Sequence, residues 1–222
     1  YAGGVVTITG TPSVAGVFNY TVSTTGPCIN PTATGTITVR ANTTLTLTSA
    51  PGTNNQTLCI NVPIVNITYA VGGSGTNGTV SGLPSGVTGN YVGGVVTISG
   101  TPTASGVFNY TVSTTGPCVN PTATGTITVN ANGSITLSSA AGTDNQTICI
   151  NTAITNITYA VGGSGTNGTV SGLPAGVSGT YAGGVVTITG TPSVAGVFNY
   201  TVSTTGPCIN PTATGTITVR AN

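Results

Sequence analysis

The amino-acid sequence predicts an all-β protein built from tandem domains, and three features carry that prediction. Apolar residues alternate with Thr and Ser at a period of two, as in Val185-Val186-Thr187-Ile188-Thr189. No stretch carries the 3.6-residue apolar stripe of an amphipathic helix. The sequence also repeats itself: Ile67 to Gly75 recurs at Ile157 to Gly165, and Gly-Val-Phe-Asn-Tyr-Thr-Val-Ser-Thr-Thr-Gly-Pro-Cys ends at Cys28, Cys118 and Cys208, a constant offset of 90. A 90-residue period is too long for a solenoid coil and suits a small domain that closes its own core.

Residues 1–42 are identical to 181–222, whereas the middle copy, 91–132, differs at positions such as Val92, Ser99, Thr103 and Asn130. This pattern implies a two-repeat unit iterated along a longer array. The expected seams fall near Asn42-Thr43 and Asn132-Gly133. They define a C-terminal half-repeat at 1–42 and complete repeats at 43–132 and 133–222. No Pro-rich or Ser-rich spacer separates them, so neighbouring repeats are expected to abut with restricted hinge motion. The sequence starts at Tyr1 without Met, basic region or cleavage site, and reads as an interior portion of something longer.

In the last repeat the expected strands are Ile135 to Ser138, Gln146 to Ile150, Asn156 to Val161, Gly168 to Gly172, Val185 to Thr189, Val197 to Ser203 and Thr214 to Arg220. Seven short strands bounded by turn residues match an immunoglobulin-like β-sandwich. Alternation assigns three inward rows: Val186 and Ile188, then Phe198, Tyr200 and Val202, then Ile217 and Val219, with Thr between them facing out.

Gly163 to Gly168 contains a literal G-x-G-x-x-G. A dinucleotide site needs a helix after those glycines to hold the pyrophosphate, and an acidic residue about twenty positions on. Here Thr169-Val170-Ser171 and a Leu-Pro turn follow, so Asn167-Gly168 is read as a hairpin turn.

Composition excludes several chemistries. Arg40, Arg220 and Asp144 are the only charged side chains, the net charge is +1, and His, Lys, Glu, Met and Trp are absent. Nucleic-acid binding depends on many cationic contacts to phosphate. Acid–base catalysis needs a cluster of titratable groups, and nucleophilic catalysis needs a base beside the nucleophile. Metal sites need grouped carboxylates, Cys or His. The expectation is therefore no catalytic residue, no cofactor, no metal, no nucleic-acid partner and no membrane insertion, since no apolar run approaches the roughly 20 residues of a spanning helix.

The five cysteines form two classes: Cys59 and Cys149 follow Gln-Thr-x, while Cys28, Cys118 and Cys208 follow Gly-Pro. Structural disulfides are expected at Cys59, Cys118, Cys149 and Cys208, paired within repeats as Cys59–Cys118 and Cys149–Cys208, with the partner of Cys28 outside residues 1–222. Pairing between repeats, Cys28–Cys59 and Cys118–Cys149, and free thiols are the alternatives. A bond closing a loop of about 60 residues is worth roughly 4 kcal/mol in the chain-entropy model. Disulfides imply an oxidising compartment and hence export.

Ser171-Gly172-Leu173-Pro174-Ala175-Gly176-Val177, Val185 to Pro192 and Ala195 to Val202 together resemble the immunoglobulin-like repeat of bacterial surface proteins. With the Gln-Thr-x-Cys and Gly-Pro-Cys elements, the chain resembles the giant adhesins of gliding, Flavobacterium-like Bacteroidetes, which are exported by the type IX secretion system. That resemblance spans the half-repeat and both full repeats. It implies an extracellular, cell-surface filament or gliding adhesin whose partners are neighbouring repeats, other copies in a fibre, and an external surface or glycan. A soluble carbohydrate- or ligand-binding module is the alternative, with sugars docked on Tyr69, Tyr91, Tyr159 or Tyr181.

Overall fold

The computed structural model describes residues 1–221 and contains strands without helices. The first 42 residues supply one hairpin, β1 (Gly16–Ser23) and β2 (Thr32–Val39). Residues 43–132 supply β3 (Thr44–Leu47), β4 (Asn55–Cys59), β5 (Ile67–Gly72), β6 (Asn77–Ser81), β7 (Val87–Val92), β8 (Val95–Gly100), β9 (Gly106–Thr115) and β10 (Thr122–Asn130). Residues 133–221 repeat the series as β11 (Ser134–Leu137), β12 (Asn145–Cys149), β13 (Ile157–Gly162), β14 (Asn167–Ser171), β15 (Val177–Ala182), β16 (Val185–Gly190), β17 (Gly196–Thr205) and β18 (Thr212–Arg220).

Each eight-strand set forms two four-stranded sheets, ordered β11-β13-β16-β15 and β12-β18-β17-β14 in the last repeat, with the same order in the one before. All pairings are antiparallel except β4 with β10 and β12 with β18, which run parallel. The parallel pair sets Cys59 opposite Asn130 and Cys149 opposite Arg220.

Seven of the eight strands in the last repeat were legible in the sequence, and the eighth, β15, was not. Its sequence, Val-Ser-Gly-Thr-Tyr-Ala, is interrupted by Ser178 and Gly179 before its β-favouring Thr-Tyr. It has a glycine at 179 because a Cβ there would run into the side chain of Val170 from the facing sheet. The turn into β16 is made by Gly183 and Gly184, both at positive φ, which matches the demand of a tight hairpin.

Asn167-Gly168 is likewise not a turn. Both residues begin β14, pairing with Thr205 and Thr204. Gly168 is required by space rather than by dihedral angle, because the Val186 side chain fills the volume its Cβ would need. The preceding turn is built at Gly163, whose φ is +62°.

The predicted inward rows do form the core. Val186, Ile188, Tyr200, Val202, Ile217 and Val219 are buried, Phe198 is half-buried against them, and Ile157 and Tyr159 complete the centre. Residues 43–132 hold an equivalent, separate core around Ile67, Val96, Ile98, Tyr110, Val112 and Ile127. Burying each such aliphatic side chain contributes about 1.5–3 kcal/mol, which lets a sandwich with three charged groups in the whole chain remain folded.

Candidate functional site: the junction between repeats

Two of the five cysteines, Cys59 and Cys208, meet at the seam between the two complete sandwiches. Gln56 fixes one side of it. Its Nε2 donates to the carbonyls of Thr53 and Val65, both at 2.7 Å, and its Oε1 accepts from Val65 N at 2.9 Å. Gln146 repeats the arrangement with Thr143 and Thr155. The glutamine of Gln-Thr-x-Cys thus ties the following loop to β4 or β12. Just beyond the strand the chain turns at Asn61, a non-glycine residue with φ +63°. That turn is held by Ile60 N to Asn130 O at 2.9 Å and Asn61 N to Pro102 O at 2.9 Å. Cys59 is therefore held at the end of its sandwich where β10 leaves.

The Gly-Pro-Cys loop occupies the opposite end. In the last repeat Asn210 Nδ2 donates to the carbonyls of Gly206 at 3.0 Å and Cys208 at 2.9 Å, closing the loop on itself. Gly133 N donates to Ile209 O at 2.8 Å, tying the loop to the first residue of that repeat. Thr43 N and Val119 O repeat that contact at 3.1 Å one repeat earlier.

These placements overturn the expected pairing. Cys59 is bonded to Cys208, 149 residues away, with Cα atoms 5.6 Å apart, and Cys28, Cys118 and Cys149 are free thiols. Neither Cys59–Cys118 nor Cys149–Cys208 forms, and neither does Cys28–Cys59 or Cys118–Cys149. The reason is the direction of β10. Cys59 pairs with its last residue, Asn130, while Cys118 precedes its first, Thr122. Nine residues at about 3.3 Å each put the two cysteines on the order of 25 Å apart, far beyond disulfide reach. The Gln-Thr-x-Cys of one repeat and the Gly-Pro-Cys of the next meet instead, because both lie at the shared junction. Cys59 Sγ lies 3.5 Å from Pro207 O, and Cys208 Sγ lies 3.9 Å from Asn130 O. Cys118 sits in the setting of Cys208, its Sγ 3.9 Å from Arg40 O at the end of the preceding strand.

The tyrosines suggested as sugar platforms are not exposed. Tyr69 and Tyr159 are buried, and Tyr91 and Tyr181 are half-buried against the cores. Tyr69 and Tyr110 meet across the sandwich, hydroxyl to hydroxyl at 3.2 Å, and Tyr110 also donates to Asn54 O at 3.3 Å. Tyr159 and Tyr200 do the same at 3.1 Å, with Tyr200 donating to Asp144 O at 3.2 Å. Burial above all, then the hydrogen bond and charge of the facing tyrosine, holds the phenols of Tyr110 and Tyr200 well above their ordinary values. Burial raises Tyr159 as well, against a lowering hydrogen bond from Tyr200. The paired hydroxyls bridge the two sheets.

On the outer face, Thr126 Oγ1 donates to Asn109 Oδ1 at 2.9 Å, beside an open groove of about 380 Å³ lined also by Asn55, Tyr110 and Thr111. The groove recurs at Asn145, Asn199 and Thr216, where the Thr–Asn contact is again 2.9 Å. Among the described residues, no three His, Cys, Asp or Glu side chains come together, and no helix is long and apolar enough to cross a membrane.

No protein-family model matches the sequence, and no curated protein is similar to it. Solved structures are similar in fold. The I-band fragment I67–I69 from titin superposes with a TM-score of 0.57 at 10% identity, covering 83% of this chain and 67% of its own. An E-to-A variant of the same three-immunoglobulin segment gives 0.59 at 11% identity, covering 82% and 66%. The chain thus spans about two thirds of the length of each. At such identities the likeness concerns fold, and together with the two-sheet topology it establishes the chain as a tandem array of immunoglobulin-like β-sandwiches.

Proposed function

We propose that the chain is a non-enzymatic structural and adhesive array, forming part of a stalk or extracellular filament on a cell surface. The observation that carries this reading is the Cys59–Cys208 bond, which joins consecutive sandwiches rather than closing one. A covalent staple beside a peptide linker of a few residues restricts bending at the seam, which a mechanical element needs and an independent binding module does not. Persistence of a disulfide supports an oxidising, extracellular location. Near-zero net charge removes repulsion between chains and favours lateral association into a fibre. The absence of an acid–base cluster in the sequence supports the non-enzymatic reading. A role in gliding or surface attachment is the part of the proposal that rests on the resemblance of the repeat motifs to surface adhesins.

Soluble ligand binding is the weaker reading, because the four tyrosines that would have served it are committed to the cores. Immunogold electron microscopy of intact source cells, with an antibody raised against residues 133–222, tests the proposal. Label spaced along thin surface filaments is the expected result. Label confined to the medium or the cell interior would overturn it.

A further inference from the structure

The pairing of Cys59 with Cys208 has a mechanical consequence that sequence spacing alone conceals. Cys59 ends β4, the second strand of its sandwich, and Cys208 precedes β18, the last strand of the next. Everything between them, from β5 of the first sandwich through β17 of the second, lies inside the closed loop. Tension applied at the two ends of the chain has a shorter covalent route, along residues 1–59, across the sulfurs, and out along 208–222. We propose that this disulfide is a tension bypass: it removes about two thirds of the chain, including most of both hydrophobic cores, from the route that carries force.

The position of the bond suits that role. It lies at the seam, with Cys59 beside Asn130 where one sandwich ends and Cys208 in the loop that Gly133 contacts where the next begins. Two covalent links therefore cross the same junction, the peptide at 131–132 and the sulfur bridge. The strands left on the tension route are few: the β1–β2 hairpin, β3, β4 and β18. β18 is held on both sides, by β17 over eight residue pairs and by β12 over five. β4 is held in parallel register by β10 over five pairs. Force must therefore shear these strands out of sheets whose other members stay locked within the loop.

The arrangement is periodic. Cys149 occupies the place of Cys59, opposite the end of β18, and Cys118 the place of Cys208, against the carbonyl of Arg40. Wherever a further copy of the repeat supplies the complementary cysteine, the same staple forms. Two interleaved routes then run along such an array, each using the segment from one Gly-Pro-Cys to the next Gln-Thr-x-Cys, as from Cys118 to Cys149. An array of this kind resists lengthening even when individual sandwiches lose their packing.

The use of this bypass under load rests on the stalk reading above, but its existence does not, so the two fail separately. Single-molecule force spectroscopy on the full 222-residue chain, held at both termini, reads it directly. Fully extended, 222 residues span roughly 75 nm at about 3.4 Å each, and the bypassed chain roughly 25 nm. The oxidised protein is expected to extend to about a third of the full length reached after dithiothreitol, and C59S and C208S each to behave like the reduced protein without any reductant. The reduced wild-type protein keeps the test valid should either variant fold poorly. Extension of the oxidised chain to about half the full length would signify within-repeat pairing, and extension to the full length no bond at all. Either result overturns the bypass, whatever the microscopy shows about location.

Discussion

Residues 1–41 and 181–221 have the same sequence, and only the later copy is preceded within residues 1–221 by the other strands of its sandwich. The hairpin registers are identical: Gly16 opposes Val39 and Ser23 opposes Thr32, just as Gly196 opposes Val219 and Ser203 opposes Thr212. Burial is not. Tyr20 is 38% exposed and Tyr200 is 1% exposed, while Ile37 and Ile217 stand at 43% and 0%. Val185–Gly190 is strand β16, buried at Val186 and Ile188, but the same six residues at 5–10 form no strand and share one isolated bridge, Ala2 with Val5. β16 needs β13 beside it, and the first 42 residues contain no counterpart of β13. Hairpin pairing is thus a local property of the sequence, whereas the strand at 185–190 needs β13 and β15 beside it, and residues 1–42 do not include both of their counterparts.

The largest test of this contrast is a pair of identical substitutions. Ile217→Ala, in a closed core, should cost about 2–5 kcal/mol. Ile37→Ala, in the same local sequence, should cost less than about 0.5 kcal/mol as an exposed site. Urea unfolding followed by circular dichroism would compare them, and equal costs would mean that the hairpin of residues 16–39 is as well packed as its twin.

A second pair sharpens the comparison at a glycine. A Cβ on Gly215 would meet both the Tyr200 hydroxyl and the Asp144 carbonyl, whereas the nearest atoms to one on Gly35 all belong to the Tyr20 side chain. Tyr20 is partly exposed, whereas Tyr200 is buried and hydrogen-bonded to both Tyr159 and the Asp144 carbonyl. Gly215→Ala should therefore destabilise its sandwich by about 1–3 kcal/mol, the usual penalty of overpacking. Gly35→Ala should be close to neutral in the same urea experiment.

The smallest effect per step is a pH slope. The phenols of Tyr110 and Tyr200 are raised in the folded protein, so above their unfolded value of about 10 the unfolded chain binds fewer protons than the native one. Stability is then complete below about pH 10 and falls above it, by about 1.4 kcal/mol per pH unit for each such tyrosine. Thermal melts between pH 9 and 12 should reveal that decline, and Tyr200→Phe should flatten it in the last sandwich. A melting temperature constant to pH 12 would show that the paired hydroxyls are more accessible than their burial implies.

The inward rows were legible because alternation reads directly as burial when one face is wet and the other dry. Val186, Ile188, Tyr200, Val202, Ile217 and Val219 all followed from it. Strand β15 escaped because its key residue, Gly179, is chosen by Val170 in the facing sheet rather than by β propensity. Gly168 was misread for the same kind of reason: a glycine demanded by the Val186 side chain looks, in sequence, like one demanded by a turn. The tyrosine pairs were invisible in sequence, because Tyr159 and Tyr200 lie 41 residues apart on different sheets.

By itself, the sequence determined the strand class, the 90-residue period, the inward rows and the poverty of charge. These depend on residues close together in the chain, where period and composition act directly. Only the tertiary structure decided which cysteines meet. Spacing offered pairs 59 or 31 residues apart, and the bond that forms spans 149. That choice turns on β4 lying parallel to β10, a pairing with no local signature, which puts Cys59 at the exit of one sandwich beside the loop at the entrance of the next. Disulfide geometry tests distance in space, and strand direction, not separation along the chain, sets that distance here.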